Sequence, residues 1–335
     1  MLERIIQPTR MVQPESGAIV GPLSNFLGFI LDYIYNAAAV IALPLAFGLS
    51  IIIFTIIIRI LLLPLSVKMH KNAQKMRKLQ PFIAELNKKY TGKDPETLKK
   101  KNVALQQLYA EHKTNPLSGC LPAMLQIPIF VTLFAMFQRP YRYITDLGNV
   151  YYRIAEEIIA IPHFYTHILE QPPLGLDKLP GNMELVLNNV SDLVRLFNVY
   201  TPADWDLYLT LLGDGYRPAL EYLLNQKDMI EYFLTISLVQ PSGLAFPGII
   251  MPVLAASTTF LTSNLMMKQQ QLNPDTPGAA IQKNLLLYGM PVIMGVVTYT
   301  APAGVGLYWV VSNIFHLGQH LTLNKILKTD DVEAG

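Results

Sequence analysis

A single cysteine, Cys120, stands in a chain of 335 residues, so neither an intramolecular disulfide nor a cysteine-based metal cluster is open to it. Charge is scarce as well. Lys, Arg, Asp and Glu make up 15% of the residues, where soluble domains carry about 25%. No G-x-x-x-x-G-K-[ST], H-E-x-x-H, G-x-S-x-G or G-x-G-x-x-G occurs. That disfavours an ATPase or a metalloprotease, and the reading is of a non-enzyme with no catalytic residue, no metal and no cofactor. Residues 1–19 carry Arg4 and Arg10, are interrupted by Pro8 and Pro14, and lack an apolar centre, so no cleavable signal peptide is expected there.

What the chain has instead is long apolar runs, 51% of its residues being hydrophobic. The first runs from Ala37 to Leu65, with Arg59 the one charge between Asp32 and Lys68. About 20 apolar residues span the ~30 Å hydrocarbon core of a bilayer, so this run reads as a transmembrane helix. A guanidinium inside such a helix costs a few kcal/mol even on lenient insertion scales. Six residues separate Arg59 from Ser66. At ~1.5 Å rise per residue, Arg59 lies about one and a half to two turns inside the membrane. Two readings stand: the side chain snorkels to the interface, or it occupies a hydrated cavity.

Four more segments qualify as spans: 117–138, 246–267, 285–300 and 303–323, the last two joined through Ala301-Pro302 as a membrane hairpin. Pro122, Pro128, Pro252 and Pro291 lie inside them, where neighbouring helices satisfy the freed carbonyls. Charge sets the orientation. Residues 66–116 hold twelve Lys or Arg against four acids, whereas 139–245 hold seven against thirteen. The positive-inside rule makes 66–116 cytoplasmic. Five spans then place the N-terminus outside and the C-terminus inside, with the 268–284 linker and the 324–335 tail cytoplasmic. The expected fold is an all-α integral membrane protein.

The basic segment has a helical period. Met76, Leu79, Ile83, Leu86 and Tyr90 recur at three- and four-residue steps, and Leu98, Leu105 and Leu108 keep a similar spacing. Between them, Gly92 suits a helix stop, Asp94 an N-cap and Pro95 a first helical position. Two amphipathic helices folded into an antiparallel hairpin are expected. Ahead of the first span, within 1–36, the stretch Pro22–Tyr35 gathers Leu23, Phe26, Leu27, Ile30, Leu31 and Ile34 on one face, as an interfacial helix would. Residues 139–245 are acidic and broken by prolines. Helical patterns at Val150–Ile161, Met183–Phe197 and Pro218–Leu234 predict a small, mostly helical exoplasmic domain.

Two histidine pairs have i, i+4 spacing, His163 with His167 and His316 with His320. The prolines around the first, and the lack of an acidic or cysteine partner for the second, argue against a metal. Polar residues inside the spans are more telling. Thr55 lies one turn before Arg59, Gln126 is in span two, Thr262, Ser263 and Asn264 are near the inner end of span three, and Trp309 is in span five. Singly, small polar side chains hydrogen-bond between helices. Together with Arg59 they form a candidate lining for one hydrated concavity open to the cytoplasm.

Three segments carry a resemblance: IIIRILLLPLSVKMHKNAQKMRKLQPFIAELNKKY, ALQQLYAEHKTNPLSGCLPAMLQIPIF and KNLLLYGMPVIMGVVTYTAPAGVGLYWVVSN. In these residues and in their order the chain resembles the YidC/Oxa/Alb family of membrane protein insertases, over roughly residues 20 to 138 and 246 to 325. The resemblance implies an ATP-independent insertase, working alone or beside the Sec translocon, with nascent membrane proteins as substrates. Ribosome and membrane lipids would be further partners, and a monomer would suffice. It also implies a hydrophilic inner-leaflet groove containing Arg59, with Thr55, Gln126 and Trp309 at groove-lining positions. In span three, where many relatives carry Gln, this chain offers Thr262, Ser263 or Asn264. The 141–240 insertion departs from the minimal form of the family. A Gram-positive-type bacterial plasma membrane is the expected location. The competing classes are a small-anion transporter, disfavoured by the lack of internal repeats, and an assembly scaffold without translocation activity.

Overall fold

The structure, a computed structural model, describes residues 20–92, 94–115, 121–162, 164, 168, 189–212, 215–269 and 279–333. Cys120, the His163–His167 pair, residues 1–19 and residues 183–188 lie outside them. Among the described residues the protein is an all-α membrane protein, apart from a hairpin of two two-residue strands. The elements are α1 (Val20–Ala42), α2 (Ala46–Leu61), α3 (Leu63–Lys89), α4 (Pro95–Glu111), α5 (Leu121–Gln138) and α6 (Thr145–Ile159). There follow α7 (Val190–Phe197), α8 (Pro202–Leu212), α9 (Arg217–Glu231), β1 (Tyr232–Phe233), β2 (Ile236–Ser237) and α10 (Ile250–Gln269). The last are α11 (Ala279–Asn284), α12 (Met290–Thr300) and α13 (Ala303–Glu333).

Among the described residues three helical stretches are long and apolar enough to cross a membrane: Val20–Leu61, Ile250–Met267 and Ala280–Thr300. The apolar helix Gln126–Gln138 is shorter. Val20–Leu61 is interrupted by one 3-10 turn at Leu43–Leu45. Pro44 has no N–H to donate and disfavours helical backbone at the residue before it, so the break falls there and not at residue 36. Ala280–Thr300 contains a π-helical turn at Leu285–Gly289. Span three begins later than its apolar run: α10 starts at Ile250, and residues 246–249 are not helical.

The chain divides into two compact units. The first comprises Met1–Phe54, Val131–Ile249 and Thr298–Leu307. Its core joins Leu31, Tyr35, Phe47, Phe54, Phe137, Ile144, Tyr151, Ile154, Phe197 and Leu220, each nearly or fully buried. Glycines set two close approaches: a Cβ at Gly28 would fall on the Tyr143 ring, and one at Gly48 on the Phe233 ring. Helix α1 differs from its expected pattern. It buries Leu27, Leu31, Ile34 and Tyr35, while Phe26, Phe29 and Tyr33 are 62%, 72% and 72% exposed. Both faces are therefore apolar, which fits a helix covered by protein on one side and lipid on the other.

In the acidic insertion, α6 packs on α7 and α9. Its amphipathic face (Leu147, Val150, Tyr151, Ile154, Ile158) is buried. The N-cap residue Ile144 has no side chain that can cap. Asp32 of α1 supplies the cap, its two carboxylate oxygens accepting from the Thr145 N–H and the Thr145 hydroxyl at 2.8 Å each. The helix expected to reach Leu234 ends at Glu231, where the chain turns into β1 and β2 with Leu234 at the turn.

The second unit comprises Thr55–Phe130, Ile250–Val297 and Tyr308–Gly335. Here α3 and α4 form the basic hairpin. Asp94 caps α4, its carboxylate accepting from the Thr97 N–H at 2.8 Å, and Pro95 opens the helix.

Candidate functional site

The sequence Leu307-Tyr308-Trp309-Val310-Val311-Ser312-Asn313 lies on α13, where four-residue steps return a side chain to one face. Two adjacent ridges result. Tyr308, Ser312, His316, His320 and Asn324 form one, and Trp309 with Asn313 the other. Within the second unit these ridges engage every element that carries an expected site residue.

Arg59, near the end of α2, is half-buried and donates from Nε to the Ser312 hydroxyl at 3.2 Å. The fork of the guanidinium beyond Nε offers four further N–H donors. Thr55, one turn earlier, is fully buried. Gln126 of α5 donates from Nε2 to the Tyr308 hydroxyl at 2.8 Å, and the Tyr308 side chain is 1% exposed. Trp309 donates from Nε1 to the Thr259 hydroxyl of α10 at 2.8 Å, and its indole meets the Phe130 ring edge-on at 5.5 Å. The Asn313 amide lies within hydrogen-bonding distance, 3.1 Å, of both the Thr258 and Thr259 hydroxyls. Those hydroxyls donate in turn to the carbonyls of Leu254 and Ala255 at 2.7 and 2.6 Å. Both threonines are thus satisfied without water.

The span-three residues expected at the site divide. Thr262 is buried, and its hydroxyl turns back onto the Thr258 and Thr259 carbonyls at 2.9 Å. Ser263 and Asn264 are half-exposed. The α10 hydroxyls that hydrogen-bond with α13 among the described residues are those of Thr258 and Thr259, one turn earlier. Sequence reasoning also passed over Tyr308, Ser312 and Asn313, although all three lie in the LYWVVSN segment.

Toward the C-terminal part of α13, the His316–His320 pair meets His70 of α3. The His70 and His320 rings are 5.5 Å apart, edge to face, and His316 and His320 are 6.5 Å apart. His70 Nε2 is 3.1 Å from the Asn324 amide oxygen. Burial pushes the His70 imidazole below its ordinary value, with the Asn324 hydrogen bond opposing and Arg77 adding to the shift. Among the described residues no three His, Cys, Asp or Glu side chains are grouped so as to hold a metal ion.

Comparisons with known proteins place the sequence among named relatives. The chain is 28% identical over 279 residues to the protein named membrane protein insertase YidC from Oceanobacillus iheyensis, covering 83% of this chain and 75% of that one. It is 30% identical over 288 residues to membrane protein insertase YidC 1 from Streptococcus agalactiae, covering 84% and 70%. A third relative, membrane protein insertase YidC from Caldanaerobacter subterraneus, is 26% identical over 307 residues, covering 92% and 96%. Residues 39–330 match the family described as 60Kd inner membrane protein. The chain therefore belongs to the 60Kd inner membrane protein family, the YidC/Oxa-type family of bacterial plasma-membrane proteins.

Proposed function

We propose that this chain is a membrane protein insertase, and that Arg59 with the polar faces of α5, α10 and α13 forms the hydrophilic path along which a substrate's polar segment enters the bilayer. The observation that carries this reading is the Arg59–Ser312 hydrogen bond: it uses one donor of a guanidinium set within an apolar helix, and among the described residues the rest of the fork is left for a substrate. Carrying a polar, often acidic, segment across dry hydrocarbon costs several kcal/mol per unsatisfied group. A cation ~4 Å from a carboxylate returns about 4 kcal/mol at an effective dielectric of ~20. The substrate's own apolar helix then partitions sideways into lipid, at roughly 25 cal/mol per Å² of apolar surface removed from water, which supplies the net drive. No nucleotide is required.

In this reading five spans place the N-terminus outside and the C-terminus in the cytoplasm. The α3–α4 hairpin receives the nascent chain, and its lysines meet anionic lipid or ribosomal RNA. The protein acts as a monomer, alone or beside the Sec translocon. The distinguishing experiment is reconstitution of the purified chain into proteoliposomes. An insertase integrates a short-tailed membrane protein, a small-anion transporter accumulates a solute, and a scaffold does neither.

A further inference from the structure

Between Glu231 and Lys268 the sequence holds no Asp, Glu, Lys, Arg or His. Only the second half of that stretch is the α10 helix. The first half, residues 232–249, is the β1–β2 hairpin and an irregular strap that follows an otherwise acidic, water-soluble-looking insertion. It is firmly held. Phe233 lies against Gly48 so closely that a Cβ there would overlap its ring. Backbone hydrogen bonds tie Leu238 N to Glu231 O at 2.8 Å, Ala303 N to Gln240 O at 2.9 Å and Gly304 N to Leu238 O at 2.8 Å.

Three of its side chains nonetheless stand clear of the protein: Leu234 at 73% exposure, Leu244 at 67% and Phe246 at 82%. Leu234 is the more telling. It occupies the first position of the two-residue turn with φ +58°, a backbone region that favours glycine or asparagine. In water, an exposed leucine there combines backbone strain with unfavourable apolar hydration and gains nothing. At the acyl boundary of a bilayer the same side chain is in its preferred medium.

We infer that the 232–249 strap is a lipid-contacting element, inserting Leu234, Leu244 and Phe246 into the outer interface of the bilayer and so fixing the inserted domain to the membrane surface. The strap leads without a break into α10, one of the helices apolar enough to cross a membrane, and shares its unit with the exposed Phe26, Phe29 and Tyr33 of α1. The partner is the hydrocarbon boundary rather than any charged headgroup, because the strap carries no charge with which to select one. This goes beyond the insertase reading, since it involves none of the residues around Arg59 and stands whether or not the chain inserts substrates.

The test uses the full chain with Cys120→Ser, single cysteines introduced as Leu234→Cys, Phe246→Cys and, as a control on α9, Tyr222→Cys (60% exposed), and an environment-sensitive fluorophore at each. One copy per nanodisc excludes a second copy as the covering surface. Labels at 234 and 246 should show blue-shifted emission, lose intensity to doxyl-labelled lipid and resist iodide, equally in phosphatidylcholine and phosphatidylglycerol. The label at 222 should do the reverse. Iodide quenching at 234 and 246 equal to that at 222 overturns the inference. Resistance to both quenchers also overturns it, because protein and not lipid would then cover the strap.

Discussion

Arg59 Nε and Ser312 Oγ are 3.2 Å apart, and Ser312 itself is 1% exposed. A buried hydroxyl therefore fixes the base of the guanidinium fork while the side chain as a whole remains half-buried. A snorkelling arginine would have its polar contacts with interface water. This one has a defined partner on α13, which pre-orients the remaining donors.

Charge and orientation separate in mutants of this pair. Arg59→Ala should lower insertion of substrates with acidic translocated tails far more than of substrates with neutral ones, and Arg59→Lys should recover much of the loss by keeping the charge without the fork. Ser312→Ala removes one hydrogen bond of about 1.5–3 kcal/mol in its charged form, and less where water substitutes. A several-fold loss, again selective for acidic tails, is expected in a proteoliposome insertion assay. Equal losses for acidic and neutral tails from both substitutions would mean that the pair is structural.

Thr259 accepts from Trp309 at 2.8 Å, lies 3.1 Å from the Asn313 amide, and is 5% exposed. Thr259→Val keeps the shape and deletes the acceptor, leaving the buried end of the network short of a partner at a cost of about 1–3 kcal/mol. Trp309→Phe removes a donor and leaves Thr259 with Asn313, so its polar cost should be smaller. Thermal unfolding of the purified protein in detergent should rank the two in that order. The reverse order would show that water reaches Thr259 and replaces the lost group.

The legible parts of the fold and the candidate site were those where residue type is anomalous for its surroundings. Arg59, Gln126 and Trp309 stand out in apolar runs because each carries polar atoms that hydrocarbon cannot satisfy. Asp94-Pro95 announces a helix start through local chemistry alone. Thr258, Thr259 and Ser312 do not stand out, because a Ser or Thr in a membrane helix can satisfy itself on the preceding turn. Which one faces a neighbour is decided by packing that no local pattern reports. The same holds for Asp32, whose role as the cap of α6 joins positions 113 residues apart. Helix α9 was read to Leu234 because Tyr232, Phe233 and Leu234 continue its apolar run into a hairpin only two residues deep.

The Asp32 cap has its own consequence. Both carboxylate oxygens are engaged by Thr145, at the one α6 terminus where the chain's own N-cap residue, Ile144, offers no acceptor. Asp32→Ala should cost about 0.5–2 kcal/mol, the range measured for lost caps. Asp32→Asn should cost less, retaining one acceptor oxygen. Hydrogen exchange at the first turn of α6 should accelerate in Asp32→Ala and little in Asp32→Asn. Unchanged protection there would show that α6 is held by its buried face alone.

Deep in the inserted domain, Lys227 and Glu231 of α9 are 6% and 1% exposed, with Nζ 3.0 Å from Oε2, while the Tyr151 hydroxyl of α6 donates to Oε1 at 2.7 Å. Asp228 accepts a second Lys227 bond at 2.7 Å. Burial alone lowers the Lys227 pKa, but the charges of Glu231 and Asp228 outweigh it and hold the ammonium above its ordinary 10.5. Complete burial raises the Glu231 carboxyl, against the pull of Lys227 and Tyr151, and burial together with Glu231 raises the Tyr151 phenol well above 10.0. The sign for Lys227 follows from linkage: a lysine whose folded pKa is raised contributes stability that is fully present below the unfolded value and lost as pH rises through the folded one. The domain should therefore lose stability above about pH 10.5, as Lys227 gives up its proton and leaves Glu231 buried and unpaired. Lys227→Met alone should cost about 3–5 kcal/mol for the same reason, whereas Lys227→Met with Glu231→Leu should recover most of that loss, because a buried pair contributes little beyond cancelling its own desolvation. The double variant still strands the Tyr151 hydroxyl, so adding Tyr151→Phe should complete the recovery. Unfolding midpoints of the wild type, the two single variants, the double and the triple at neutral pH, followed by near-ultraviolet circular dichroism, provide the measurement. Strict additivity of Lys227→Met and Glu231→Leu would show that the two groups do not act as a pair.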